Sequence, residues 1–202
     1  MKKNTFKDIL TRIVDFVLID ILSLFIFIYH KFFFFRIRKA IGKAITFKIK
    51  NKGKDLRIHG LNHIKNVEKL KVGNYERKGY NRYFHSGGGI EIEDNVQISR
   101  NVVIYSANHK YESSLVPYDI SLKKKAVQIG QSSWIGMNVC ILPGVKIGKG
   151  CIVGMGAIVT KDLDDGSIVV GQSAKKIKMR DMNHFDLLNT QKMWFGKYFP
   201  NS

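Results

Sequence analysis

Between residues 127 and 163 a β-branched apolar residue recurs at every sixth position: Ile129, Ile135, Ile141, Ile147, Val153 and Val159. Two places before the next of these stands a small or compact residue: Ser133, Val139, Val145, Cys151 or Ala157. Glycine follows directly at 130, 136, 148 and 154. A period of six fits neither the 3.6 of a helix nor the period of two of one long strand. It fits short strands that turn a corner every six residues, so that the inward Ile or Val of one coil stacks on that of the next. The glycine content excludes a helix interior.

The stretch WIGMNVCILPGVKIGKGCIVGMGAIVTKD at 134–162, followed by VVGQSAKKIK at 169–178, resembles the closing signature of the hexapeptide-repeat acyltransferases. The resemblance implies an all-β core: a left-handed parallel β-helix of triangular cross-section. It also implies an acetyl-CoA donor, no metal, and a homotrimer with sites between subunits. Matching coils run from about Ile58 to Ile177, and the chain is most similar to acetyltransferases that decorate bacterial surface sugars. The expected organisation is a basic amphipathic segment at 1–57, a β-helix at 58–178 with a loop insertion at 107–126, and a helical tail at 179–202.

The net charge is +18, and residues 1–57 hold 14 Lys/Arg against 4 Asp/Glu. Such a balance points to nucleic acid, an anionic lipid surface or an anionic substrate. No helix-turn-helix, RNP-like aromatic pattern or zinc spacing is present, which argues against nucleic acid. Cys140 and Cys151 fall on hexad positions and read as free thiols, and no cluster of Cys and His suggests a structural metal.

The chain opens with Lys2, Lys3 and Lys7 and a long run of Ile, Leu, Val and Phe to Phe35, with no small-residue cleavage site. Asp15 and Asp20 interrupt the run, so it is not a clean transmembrane span. Asp8, Arg12, Asp15, Ser23 and His30 share one helical face, and Lys31, Arg36, Arg38, Lys39 and Lys43 follow. The pattern predicts an amphipathic helix, either lying in the interface of an anionic membrane or packed on protein. The chain is expected in the cytoplasm, peripheral to the inner face of the plasma membrane. Residues 44–57 read as a leading strand and a polar turn. Ile58, Ile64 and Leu70 suggest a first coil; the spacing breaks across VGNYERKGYNRYFHSGGG and restarts at Ile92, Ile98 and Ile104. The tail from Met179 has helical spacing and reads as a cap over the open end of the coil, with His59, His63 and His184 structural or solvated.

The polar stretch from Ala107 to Ala126 is too long for a corner and must leave the coil, and loops on a rigid scaffold are where chemistry concentrates. It opens with Asn108-His109-Lys110-Tyr111. Transfer of an acyl group to a hydroxyl needs a base, and histidine titrates in the useful range. The resemblance carries the base role to His109, with Tyr111 and His85 beside the acceptor. A base is oriented through its other ring nitrogen; Glu112, Asn108 and backbone carbonyls are the candidates. For the donor, Gly136, Gly154 and Gly156 are expected to allow close approach of pantetheine to backbone N–H groups. Trp134, Ala157, Thr160 and Lys161 resemble positions flanking it, and Lys175 and Lys176 suit its phosphates. The expected reaction is O-acetylation of a sugar of capsule, lipopolysaccharide or exopolysaccharide. Antibiotic inactivation, sugar-nucleotide N-acetylation and a non-catalytic scaffold are the alternatives.

Overall fold

The computed structural model describes residues 5–58 and 60–199. Lys2, Lys3 and His59 lie outside the described residues. The chain forms two compact units, residues 1–40 and 41–202.

The first unit is helical: α1 spans Thr5–Ile28, a π-helical turn covers Tyr29–Phe34, and α2 begins at Phe35 and runs to Lys48. Leu10, Val14, Val17, Ile21, Phe25 and Ile28 recur at steps of three and four along α1, opposite Asp8, Arg12, Asp15 and Ser23. That apolar stripe is fully presented: Val14 is 48% exposed, Ile21 58% and Phe25 73%. Tyr29 and His30 pair with Phe33 and Phe34 at ring separations of 5.0 Å, and the Arg38 guanidinium lies 4.6 Å over Phe34. No helix among the described residues is long and apolar enough to cross a membrane.

In the second unit the end of α2 is helical through Lys48, not the strand expected at 44–48. The cause is the step of four between Ile45 and Ile49, which turns both residues onto the core. From Asn51 the chain winds into a β-solenoid of about six turns with three faces. Its first coil is β1 (Asn51–Lys52), β2 (Arg57–Ile58) and β3 (His63–Lys65), one strand earlier than the hexads indicated. The second is β4 (Leu70–Val72), β5 (Arg77–Lys78) and β6 (Tyr83–His85); the third is β7 (Ile90–Ile92), β8 (Gln97–Ile98) and β9 (Val103–Tyr105). A hairpin, β10 (Ala107–His109) with β11 (Leu122–Lys124), then leaves the coil. The fourth coil is β12 (Val127–Ile129), β13 (Trp134–Ile135) and β14 (Cys140–Ile141); the fifth is β15 (Lys146–Ile147), β16 (Ile152–Val153) and β17 (Ile158–Val159). β18 (Ser167–Val170) belongs to the last coil, and β19 (Lys175–Met179) folds back antiparallel on it.

Parallel register places Ile129 between Ile92 and Ile147, Ile135 between Ile98 and Val153, and Ile141 between Ile104 and Val159. All these side chains are buried. At the corner between the second and third faces Asn81, Asn101 and Asn138 each take φ of 58°, a conformation Asn adopts more readily than bulkier residues. Their side chains form a ladder, Asn81 Nδ2 donating to Asn101 Oδ1 at 2.9 Å and Asn101 Nδ2 to Asn138 Oδ1 at 3.0 Å. Glu76 and Arg82, both inside the second coil, occupy the slots that Val96 and Val102 fill in the third. The sequence break at 72–89 is therefore a change of filling and not a departure from the coil. Arg82 donates to Asn62 Oδ1 and to the Gly79 carbonyl.

The C-terminal segment is helical, as expected, with α3 at Met182–Thr190 and α4 at Phe195–Tyr198. It lies along a flank rather than over the open end. Met182 meets Gly166 and Phe185 meets Gly150, then Asn189 meets Ser132, and Trp194 and Gly196 meet Tyr75. These contacts follow one corner back from the last coil to the second.

Candidate active site

The hairpin at 107–124 roots at the corner between the third and first faces, where Ser106 is wholly buried. Ser106 Oγ donates to the His85 carbonyl and accepts from Gly88 N–H, and the Lys125 N–H closes on the Ser106 carbonyl. This anchorage fixes both ends of an otherwise exposed loop. In the ladder His109 lies opposite Leu122 and Asn108 opposite Lys123.

His109 is exposed but held. Its Nδ1 lies 3.1 Å from the backbone carbonyl oxygen of Asp119, and the Tyr118 ring stacks on it at 4.0 Å with planes 19° apart. A carbonyl only accepts, so this contact puts the proton on Nδ1 and leaves Nε2 with a lone pair directed away. Asn108 Oδ1 accepts from the His109 backbone N–H at 3.0 Å. Glu112 is exposed and makes no hydrogen bond among the described residues. The orienting group is thus a carbonyl, and neither Asn108 nor Glu112 holds the ring.

Asp119 was not singled out from the sequence. Its carboxylate accepts from Ser121 N–H at 2.7 Å, from Ser114 Oγ at 2.9 Å and from Ser114 N–H at 3.3 Å, while its own N–H donates to Ser113 Oγ. The bonds from Ser121 first, and then those from Ser114, hold its pKa well below the usual carboxylate range. The signal was present as Asp-x-Ser, an Asx turn. The hairpin also carries exposed Lys110, Lys123, Lys124 and Lys125, none of which forms an ion pair among the described residues.

The other expected residues fall in separate places. Tyr111 is on the hairpin and 81% exposed. His85 is on the third face, stacked on Tyr105 at 5.4 Å, which in turn stacks on Tyr83. Thr160 and Lys161 occupy the corner from which the hairpin springs, two coils further on, and both are exposed. Gly136, Gly154 and Gly156 sit at the corner between the second and third faces, and their N–H groups already donate to Val153, Val169 and Met137. They therefore have no N–H left for pantetheine or for an oxyanion, and the close approach at Gly136 is to the next coil: a Cβ there would stand 2.8 Å from Met155 N. Ala157 is buried in the core, so its side chain faces the interior and not a ligand. Lys176 lies 3.7 Å from Asp164, and Lys175 is exposed beside it. Burial raises the Cys151 thiol, which leaves it unreactive.

Trp134, 55% exposed on the second face, lines a cavity of about 630 Å³ between the coil and the C-terminal segment. Ile152, Phe185, Leu188 and Met193 form its apolar walls, with Gln97, Arg180 and His184 at polar positions.

Residues 126–161 match the family described as Bacterial transferase hexapeptide (six repeats). The chain is 36% identical over 105 residues to a Schizosaccharomyces pombe protein named as an acetyltransferase, covering 49% of this chain and 47% of that one. A Staphylococcus aureus protein similarly named is 37% identical over 114 residues, covering 55% and 56%. The chain thus spans about half the length of these relatives. Among solved structures, a maltose O-acetyltransferase of Clostridium difficile 630 aligns with a TM-score of 0.57 at 26% identity, covering 76% of this chain and 91% of that one. A hexapeptide-repeat acetyltransferase of Vibrio cholerae, solved with acetyl coenzyme A, aligns with a TM-score of 0.64 at 23% identity, covering 69% and 76%. Residues 126–161 thus match the bacterial transferase hexapeptide family, and the solenoid that they complete has the fold of the solved hexapeptide-repeat acetyltransferases.

Proposed function

We propose that the protein is an acetyl-CoA-dependent acetyltransferase in which His109 is the general base. The observation that carries this reading is the ring of His109: Nδ1 is engaged by the Asp119 carbonyl and one face is covered by Tyr118, so that Nε2 is the basic atom. Acetyl-CoA supplies an activated acyl carbon as a thioester. His109 Nε2 takes the proton of an acceptor hydroxyl as its oxygen adds to that carbon. As the carbon–sulfur bond breaks, the protonated ring returns the proton to the departing thiolate, leaving an acetyl ester and free CoA. General base catalysis of this kind contributes about 10²–10⁴-fold. Exposed Lys161 and Lys175 suit the donor's phosphates, with Thr160 beside Lys161.

The acceptor is a sugar hydroxyl of a bacterial surface polysaccharide, met by an enzyme peripheral to the inner face of the plasma membrane. The four unpaired lysines of the hairpin suit the acidic glycans of such polymers. Because His109 stands on the hairpin at the corner between the third and first faces, whereas Trp134 and Lys175 belong to the sheet of the second face, the reading places the complete site between subunits, in a homotrimer. The test is release of CoA from acetyl-CoA with a panel of neutral and acidic oligosaccharides, for the wild type and His109→Ala. Transfer that falls at least about a hundredfold in the variant, with acetyl-CoA still raising the thermal midpoint of both, supports the reading. Unchanged transfer in His109→Ala removes His109 as base; no midpoint shift with saturating acetyl-CoA removes the donor.

A further inference from the structure

Helix α1 and the π-helical turn after it bring together two features that the solenoid does not use. From Leu10 to Ile28 a stripe of Leu, Val, Ile and Phe stands open, with residues 47–73% exposed. Downstream, residues 21–54 contain nine Lys/Arg and no Asp/Glu. We infer that α1 docks flat on an anionic lipid bilayer, its Leu10–Ile28 stripe buried among the acyl chains and Lys31, Arg36, Arg38 and Lys39 held against the headgroups.

Three observations favour lipid over a second copy of the chain. The apolar arc is wide, since Leu18, Leu22 and Leu24 flank the stripe, and is broader than the narrow seam a two-helix coil requires. Paired copies would bring two uncompensated basic runs together, whereas an anionic surface neutralises them. The aromatic block is built for an interface: Lys31 Nζ lies 5.6 Å over Phe27 and Arg38 lies 4.6 Å over Phe34, keeping cationic heads on apolar rings. Asp8, Arg12, Asp15 and Ser23 on the opposite arc, with Ile19 and Ile26 between them, face water in this orientation.

The docking does not rest on the catalytic reading, and its test needs no acceptor. Full-length protein is sedimented with vesicles of phosphatidylcholine alone or with about 30% phosphatidylglycerol, at low and high salt. Binding to the mixed vesicles is expected, reduced at least tenfold by omitting the anionic lipid or by high salt. Phe25→Glu should abolish it, and combined Arg36→Gln, Arg38→Gln and Lys39→Gln should weaken it severalfold. The thermal unfolding of the solenoid should be unchanged in both variants, which separates lost docking from lost folding. Equal binding to both vesicle types, no binding to either, or binding that resists carbonate and salt extraction as an inserted span does, would overturn the inference. Helix-driven self-association dispersed by Phe25→Glu, without vesicle binding, would assign the stripe to a second copy.

Discussion

At the scale of single residues, the base proposed at His109 would be only as good as the orientation of its ring, and the ring is held by a peptide carbonyl. The carbonyl belongs to Asp119, whose side chain is tied to Ser114 and Ser121. Asp119→Ala should therefore lower kcat by roughly ten- to a hundredfold while leaving KM for acetyl-CoA nearly unchanged, because a displacement of about 1 Å suffices for such losses. Asp119→Asn should retain more activity than the alanine variant. Since the native carboxylate is more acidic than in the unfolded chain, its ties are complete at neutral pH and are released only as pH falls below the ordinary carboxylate range. Any acid limb of activity near neutrality should accordingly survive in Asp119→Asn; a pH–rate profile checks this. A second residue-scale consequence concerns the charges inside the second coil. Burial lowers the Arg82 pKa to about 9, and Glu76 works against that fall. Glu76→Leu leaves a buried cation without its counter-charge and should cost about 3–5 kcal/mol, whereas Glu76→Leu with Arg82→Met should recover most of the loss. Denaturant unfolding of the single and double variants measures both.

At the scale of elements, the C-terminal segment is fastened by a small polar relay. Asn95 Nδ2 donates to Ser132 Oγ, Ser132 Oγ to Asn189 Oδ1, and Trp194 Nε1 to the same oxygen, while Asn189 Nδ2 donates to Gln131 Oε1. Asn189→Ala should cost about 1–3 kcal/mol by leaving partners unmatched, and limited proteolysis should then cut first within 180–199. Gly150→Ala should loosen the same segment, because φ is +66° there and a Cβ would stand 2.9 Å from the Phe185 ring. The coils at 127–163 were legible because every inward slot but that of Ser133 is apolar and the period survives intact. The second coil was not, since Glu76 and Arg82 fill slots that the pattern reserves for Val or Ile. The end of α2 was misread because Ile45 and Ile49 satisfy short strand and helix patterns alike, and only packing on the core decides. That residues 107–124 leave the coil, with His109 among them, was legible from the break after a strict hexad. Asp119 could not be found as the partner of His109, because a backbone carbonyl has no residue-type signature. The close approach expected at Gly136 and Gly154 is made by the next coil, which sequence does not show, whereas the place beside Gly156 is open.

At the scale of the whole molecule, the solenoid is a stack in which each coil meets only the coils above and below it. Stacks of that kind ordinarily fray from their ends, each coil melting almost independently of distant ones. The C-terminal segment alters this connectivity, since it leaves the last coil and returns along one corner to Tyr75 in the second. The row from the second coil to the last is thereby closed into a circuit: neither of these two can open without surrendering contacts that the segment makes at the other. The full chain should unfold in one sharp transition, and a chain ending at residue 180 should unfold in a broad or two-step one, with early hydrogen exchange in the first two coils. A tail that resembles an appendage is in this sense the keystone of cooperativity, and a nick in it would be felt most strongly at the opposite end of the molecule.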